Sequence, residues 1–442
     1  MSGLSLGLFA LGATTILLVL RVHVGVTMLM GGALCYWLLN NGDLQALMFT
    51  LNNLAYSRLS NYDLAVIPLF ILMGQFATHG GLSKQLFHCA SVFFGHLRGG
   101  LGLSAIGACA GFAAICGSSL ATSATMSQVA LPELRRHNYS GRLATGVIAA
   151  GGTLGILIPP SVPLVIYAVL TQESIAKLFV AAVVPGVIAI IGYMIVLRIM
   201  VARDEHTVQS IPKASLAARL SALVGILPII GIFLVVIVGI YGGWSNPTEA
   251  ASIGAAACGI LAVIKGEMGW KGIRTSLLGT AETTAMIFLV LLGADLLNSG
   301  LALTQMPYEL ANLVRESGLA PMIVLIAILI LYLLLGCVMD SLAMILLTIP
   351  IFYPLIISLD FYGLDTTQKS IWFGILALMV VEIGLIHPPL GMNLFIVQKA
   401  AKDVPFIETI KGVFPFIVSD LIRIILLVAF PTLCLGLINY FS

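Results

Sequence analysis

The sequence predicts an all-α polytopic membrane protein built from two inverted-topology repeats, with about ten full crossings and two re-entrant hairpins. Three observations lead there. First, 60% hydrophobic residues, 9% charged residues and a mean hydropathy of +1.09 leave too little polar surface to keep 442 residues in water. Second, one order of parts occurs twice. Gly117-Ser118-Ser119-Leu120-Ala121, then Pro132, then Gly155 through Pro159-Pro160 is followed much later by Asp340-Ser341-Leu342-Ala343, then Pro354, then Gly384 through His387-Pro388-Pro389. Ser-Leu-Ala and the first proline recur at an offset of 222 residues and the Gly-x-x-x-Pro-Pro elements at 229, so one seven-residue insertion separates the copies. Third, the flanking charges are opposite. Arg135, Arg136, His137 and Arg142 follow the first unit, whereas Asp360 and Asp365 follow the second with only Lys369 for balance. Basic flanks stay in the cytoplasm, so the two units are expected to enter from opposite sides.

Spans of about 17 to 25 mainly apolar residues fall near 4–20, 24–39, 64–79, 143–170, 178–200, 220–241, 248–264, 276–298, 370–398 and 412–440. The first lacks a cationic start and is followed by Arg21, which favours a retained helix over a cleaved leader. Segments 100–134 and 319–357 each hold two apolar arms around a small polar centre, long enough to go in and come back as hairpins. The mixed segments 82–98 and 303–317 precede them as arms near the interface. The polar stretch 202–219 is a cytoplasmic linker between a first repeat, 1–201, and a second, 220–442. Five crossings in each half turn the second upside down. With the N-terminus outside, 16 of the 21 Lys and Arg residues fall on the cytoplasmic side, and both termini are periplasmic.

A hairpin that ends inside the bilayer exposes backbone groups that hydrocarbon cannot satisfy, so its tip must face protein, water or a ligand. Gly117, Ser118 and Ser119 with Thr122 offer a turn, hydroxyls and freed carbonyls, the hard oxygen ligands of a small cation. A Ser/Gly-rich packing seam has the same composition, but the inverted copy at Asp340 and Ser341 favours a site. Tandem prolines at 159–160 and 388–389 each remove two amide donors, so both broken helices, 143–170 and 370–398, must open near mid-membrane. Thr153, Ser161 and Asn393 bring side-chain oxygens to the breaks.

Glu382 and His387, five residues apart, are ionisable groups at membrane depth. They form either a proton-linked couple or a histidine bonded to a freed backbone group beside a carboxylate in a crevice. Asp295 and Glu282 are weaker candidates of the same kind. Asp420 and Arg423 read as a local ion pair in a scaffold helix. Asn246-Pro247-Thr248-Glu249 reads as a capping box.

The seven cysteines are scattered through apolar segments with no metal-ligand spacing, so no transition metal is expected. The net charge of +2 without a basic aromatic-interleaved run argues against nucleic acid. No phosphate loop, zinc-protease or nucleophile-elbow motif occurs, so no enzyme is expected.

In Pro68–Gly74, Gly117–Thr122, Gly151–Ser161, Asn246–Ala250 and Asp340–Leu347 the chain resembles the large membrane subunit of TRAP (tripartite ATP-independent periplasmic) transporters, the DctM-like family. The resemblance implies an elevator-type importer of the bacterial cell inner membrane, driven by sodium and needing no cofactor. It further implies a small four-helix membrane subunit and a periplasmic substrate-binding protein that delivers an organic anion, a carboxylate. By the same resemblance Gly117, Ser118, Ser119 and Thr153 would hold one sodium ion, and Asp340, Ser341, Gly384 and the residue at 387 another. The substrate would lie between the tips, toward Thr122, Pro159, Pro160, Ser161, Pro388, Pro389 and Asn393. The chain departs from the family at Cys116, commonly Ser, and at His387, commonly Thr. The second change either leaves a backbone-only sodium site or makes transport pH-sensitive. A proton-coupled or exchange carrier using Glu382 and His387 is the alternative, and an anion channel or assembly subunit is the alternative from another class.

Overall fold

The structure, a computed structural model, describes residues 3–20, 22–203, 208–266, 268–316, 318–337 and 339–441. Arg21 and residues 204–207 of the expected linker lie outside the described residues. Among the described residues every regular element is a helix. The first half begins with α1 (Gly3–Val19), α2 (Val24–Leu39), α3 (Gln45–Leu59) and α4 (Val66–His79), the last entered through a 3-10 turn at Tyr62–Ala65. An arm, α5 (Leu82–Phe94), leads to hairpin limbs α6 (Gly100–Cys116) and α7 (Ser119–Arg136). The broken helix α8 (Gly141–Leu157) and α9 (Val162–Thr171) follows, then α10 (Ile175–Arg203). The second half runs α11 (Leu216–Tyr241), α12 (Pro247–Ile264), α13 (Trp270–Leu303), the arm α14 (Met306–Glu316), and limbs α15 (Pro321–Gly336) and α16 (Ser341–Ser358). It ends with the broken helix α17 (Thr366–Ile386) and α18 (Met392–Ala400), then α19 (Phe406–Ala429) and α20 (Thr432–Phe441).

The helix pairings repeat between the halves. α2 packs along α13 and α4 along α12, α7 against α8 and α16 against α17, α19 against α8 and α10 against α17, α18 against α7 and α9 against α16. Each pair becomes its companion when the halves are exchanged, as an inverted repeat requires. The α2–α13 seam is built from small residues: a Cβ on Gly32 would stand 2.6 Å from the Leu296 carbonyl carbon, and one on Gly293 would stand 2.5 Å from the Gly25 carbonyl oxygen. Between membrane helices, where apolar burial drives little, such close approach is a main source of cohesion.

Among the described residues eight helices are long and apolar enough to cross a membrane, counting α8 and α9 as one and including α16. Length alone would make α16 a crossing. It is marked instead by its first residue, Ser341, which lines the same cavity as Ser119 at the start of α7.

Two expectations change. The segment 412–440 is not one span, because Phe430 ends α19 and Pro431, lacking an amide donor, starts a new direction toward α10. The helix α3 was not foreseen, since Asn52, Asn53 and Arg58 interrupt its apolar pattern. It is tied down where the Arg58 guanidinium donates to Asp295 Oδ1 at 2.6 Å, which also explains the intramembrane Asp295. The capping box at Asn246 forms as expected, with both reciprocal bonds to Glu249.

Most single prolines do not break their helices. Pro132, Pro185, Pro228 and Pro415 each sit within a continuous helix, and α16 carries both Pro350 and Pro354. The tandem pairs do interrupt, as the single Pro431 does between α19 and α20, and both Pro159-Pro160 and Pro388-Pro389 are cis. Two consecutive missing donors leave carbonyls on the preceding turn without partners, so the helix cannot close across them.

Candidate functional site

The first hairpin turns on Gly117, which ends α6 in the left-handed region with φ 61°. A side chain there costs about 1–2 kcal/mol, and its Cβ would stand 2.9 Å from the Pro160 carbonyl oxygen. Ser118 then caps α7: its hydroxyl accepts the Ala121 amide at 3.4 Å, and its carbonyl accepts the Thr122 hydroxyl at 2.8 Å. Gly155 of α8 lets this tip seat on the broken helix, since a Cβ at that position would lie 2.5 Å from the Ser118 carbonyl oxygen. Ser119 is buried, and its hydroxyl donates to Glu382 Oε2 at 2.6 Å with the Thr153 carbonyl oxygen 3.4 Å away. Glu382 belongs to α17, so the first tip is held by the second repeat.

The second tip is organised differently. Asp340 caps α16 with its own carboxylate, accepting the Leu342 and Ala343 amides at 3.2 and 3.4 Å. Ser341 is buried behind it. Gly384 approaches not the tip but Gly336 of α15, where its Cβ would be 2.5 Å from Cα. The His387 Nδ1 lies 2.5 Å from the Pro388 carbonyl oxygen and 3.4 Å from Cys337 Sγ, which draws the imidazole toward the end of α15. Break one is buried at Pro159, Pro160 and Ser161, whereas Pro389 and Leu390 of break two are exposed.

Both tips open on one cavity of about 300 Å³. Gly117–Ala121 and Asp340–Leu342 form one wall, and Gly74, Gln75 and Thr78 of α4 with Thr283 and Met286 of α13 form the other. Gly74 allows this contact, because a Cβ there would stand 2.9 Å from the Cys116 carbonyl oxygen. Among the described residues no lysine or arginine lines the cavity. Of the residues expected near substrate, Thr122, Pro159, Pro160, Ser161 and Asn393 are buried, and neither they nor Pro388 and Pro389 line it. Gln75, Thr78 and Thr283 were missed; polar side chains at positions 75 and 78 of an apolar helix, one turn apart, were the available signal.

Behind the first tip runs a buried polar chain. The Thr153 hydroxyl is 2.8 Å from the Tyr193 hydroxyl, which donates to Asp420 Oδ2 at 2.7 Å. Arg423 Nη2 stands 2.9 Å from Asp420 Oδ1 as an ion pair without hydrogen-bond alignment. The local pair expected at Asp420 and Arg423 is therefore present, but α19 packs on the site-bearing α8 and α10. Glu382 and His387 are not brought together: the first bonds Ser119, the second Cys337 and Pro388.

Comparison with known proteins settles the family. The model of the tripartite ATP-independent periplasmic transporter DctM component matches residues 11–433. The chain belongs to that family. It is 34% identical to the C4-dicarboxylate TRAP transporter large permease DctM of Pseudomonas aeruginosa over 93% of both chains. It is 31% identical to the sialic acid large permease SiaM of Vibrio cholerae, over 87% of this chain and 88% of that one. It is 30% identical to the 2,3-diketo-L-gulonate large permease YiaN of Escherichia coli over 92% of both. Among solved structures, the Alcanivorax borkumensis YdaH transporter shares the fold at a TM-score of 0.63, with 14% identity over 88% of this chain and 89% of that one. This TRAP large permease is a multi-span membrane protein and not an enzyme.

Proposed function

We propose that this permease takes up an organic anion, a carboxylate, by sodium-coupled secondary active transport. The convergence of both hairpin tips on one cavity between α4 and α13 carries the reading. An anion in that cavity finds no cationic side chain among the described residues, so its charge is met by the amide end of α7 and by sodium at the tips. Gly117, Ser118, Ser119 and Thr153 are the first sodium site on this reading. Asp340, Ser341 and the backbone at Gly384 and His387 are the second. Sodium stabilises the substrate-competent arrangement by its differential affinity for it, which is how the gradient does work on the substrate. The helices carrying the tips, α6–α10 and α15–α20, move against α1–α4 and α11–α13 as an elevator in the bacterial inner membrane, with both termini periplasmic.

A small four-helix membrane subunit and a periplasmic binding protein complete the system. A fused isethionate permease of Oleidesulfovibrio alaskensis, named DctMQ, is 30% identical over 79% of this chain, which spans 54% of that one. A large permease joined in one chain to further sequence supports the first of these partners. The proton-coupled or exchange alternative has weaker support, because Glu382 and His387 have separate partners. Reconstitution with both partners, with sodium and proton gradients imposed separately, tests the reading. Uptake is expected to follow the sodium gradient and to require the binding protein. Uptake driven by protons alone, or flux without stoichiometric coupling as in a channel, overturns it.

A further inference from the structure

We propose that the Glu382 carboxylate is itself a ligand of the coupling cation at the first hairpin, supplied to that site by the opposite repeat. The inference rests on the sodium reading above and adds to its hydroxyl and carbonyl ligands a full negative charge.

Glu382 is 1% exposed; its Oε2 takes the Ser119 hydroxyl, and its Oε1 has no hydrogen-bond partner. Burying an ionised carboxylate with one oxygen unmet is expensive unless something compensates it. Around the Ser119 hydroxyl are gathered the Glu382 carboxylate from α17 and the Thr153 carbonyl from α8. These are hard oxygens from three helices and both repeats, the donor type that alkali cations prefer.

Charge balance points the same way. The surrounding cluster holds two carboxylates, Glu382 and Asp420, against one guanidinium, Arg423, all at most 2% exposed. Arg423 is committed to Asp420, which also receives the Tyr193 hydroxyl. With Glu382 ionised, one negative charge is left over at membrane depth, and one monovalent cation beside the carboxylate removes it. A cation held there bridges the tip of the first repeat to the broken helix of the second. Its arrival and departure then change how firmly the two inverted halves are joined.

The test is a sodium titration of the permease with its small subunit in lipid nanodiscs, followed by thermal unfolding, with choline chloride as the ionic-strength control. Sodium is expected to stabilise the wild type more than choline does. Glu382→Gln should shift the sodium midpoint upward about tenfold or more, while Glu382→Asp, which keeps the charge, should recover most of the response. Ser119→Ala removes a neutral ligand and should weaken the response less; Glu382→Ala takes the place of Glu382→Gln should that variant fail to fold. A wild-type midpoint in Glu382→Gln, or in Glu382→Ala if that is the variant that folds, overturns the inference. A wild type indifferent to sodium over choline overturns instead the sodium reading on which it rests.

Discussion

The two hairpin tips are copies of one design, yet the first is locked and the second is open. Tip one turns on a left-handed glycine, is seated against the Gly155 backbone, and is bonded through Ser119 to a carboxylate of the other repeat. Tip two begins from Cys337 in ordinary helical geometry, caps its helix with Asp340, and stands beside a break whose Pro389 is exposed. Inverted duplication therefore conserves the path of the backbone more strictly than the chemistry placed on it. Each tip can specialise, one as a fixed anchor and the other as the adaptable side of the cavity.

That contrast is easiest to break at the anchor. Arg423→Met leaves Asp420 as an unpaired buried carboxylate, and removing one partner of a buried pair typically costs about 3–5 kcal/mol. Thermal unfolding in detergent should show this as the largest loss among these substitutions; a change near zero would mean that the cluster is not the support of tip one. Next comes Gly117→Ala, where the left-handed backbone alone costs about 1–2 kcal/mol and the Pro160 carbonyl adds crowding. The same measurement on Cys337→Ala should show a smaller effect, because position 337 has right-handed helical geometry. Equal losses at the two positions would erase the distinction between the tips. Asp340→Ala removes an N-cap worth about 1 kcal/mol, whereas Asp340→Asn keeps it, so the unfolding temperatures of the two variants should separate.

The repeat was legible because its signals are local and unusual. Tandem prolines end a helix whatever surrounds them, while single prolines at 132, 185, 228 and 415 remain inside helices, so counting prolines singly would have misled. Positive-φ Gly117 and the capping residues Ser118 and Asp340 are likewise decided within a few positions. What could not be read is what depends on distant parts of the chain. Glu382 stands out for its cost at membrane depth, but its partner Ser119 is 263 residues away, while the near neighbour His387 bonds the Pro388 carbonyl, the second of the two readings open for the couple. The helix α3 was hidden for the same reason, since its arginine is compensated by Asp295, 237 residues on.

The smallest expected effect lies at the open tip and separates two roles for His387. Its imidazole is occupied by the Pro388 carbonyl and Cys337 Sγ, so on the sodium reading the second cation is held there by Asp340, Ser341 and backbone oxygens rather than by the ring. His387→Thr restores a hydroxyl at the break and gives up the imidazole's contacts with the Pro388 carbonyl and Cys337. Stability should change by less than about 1 kcal/mol, as for loss of one partly buried hydrogen bond. The sodium concentration needed for half-maximal uptake should fall by about two- to tenfold, the worth of one added oxygen contact at about 0.5–1.5 kcal/mol. Were the requirement to rise instead, the imidazole would be a ligand or the positioning group of one. The open tip would then be as specialised for the cation as the locked one, by a different chemistry.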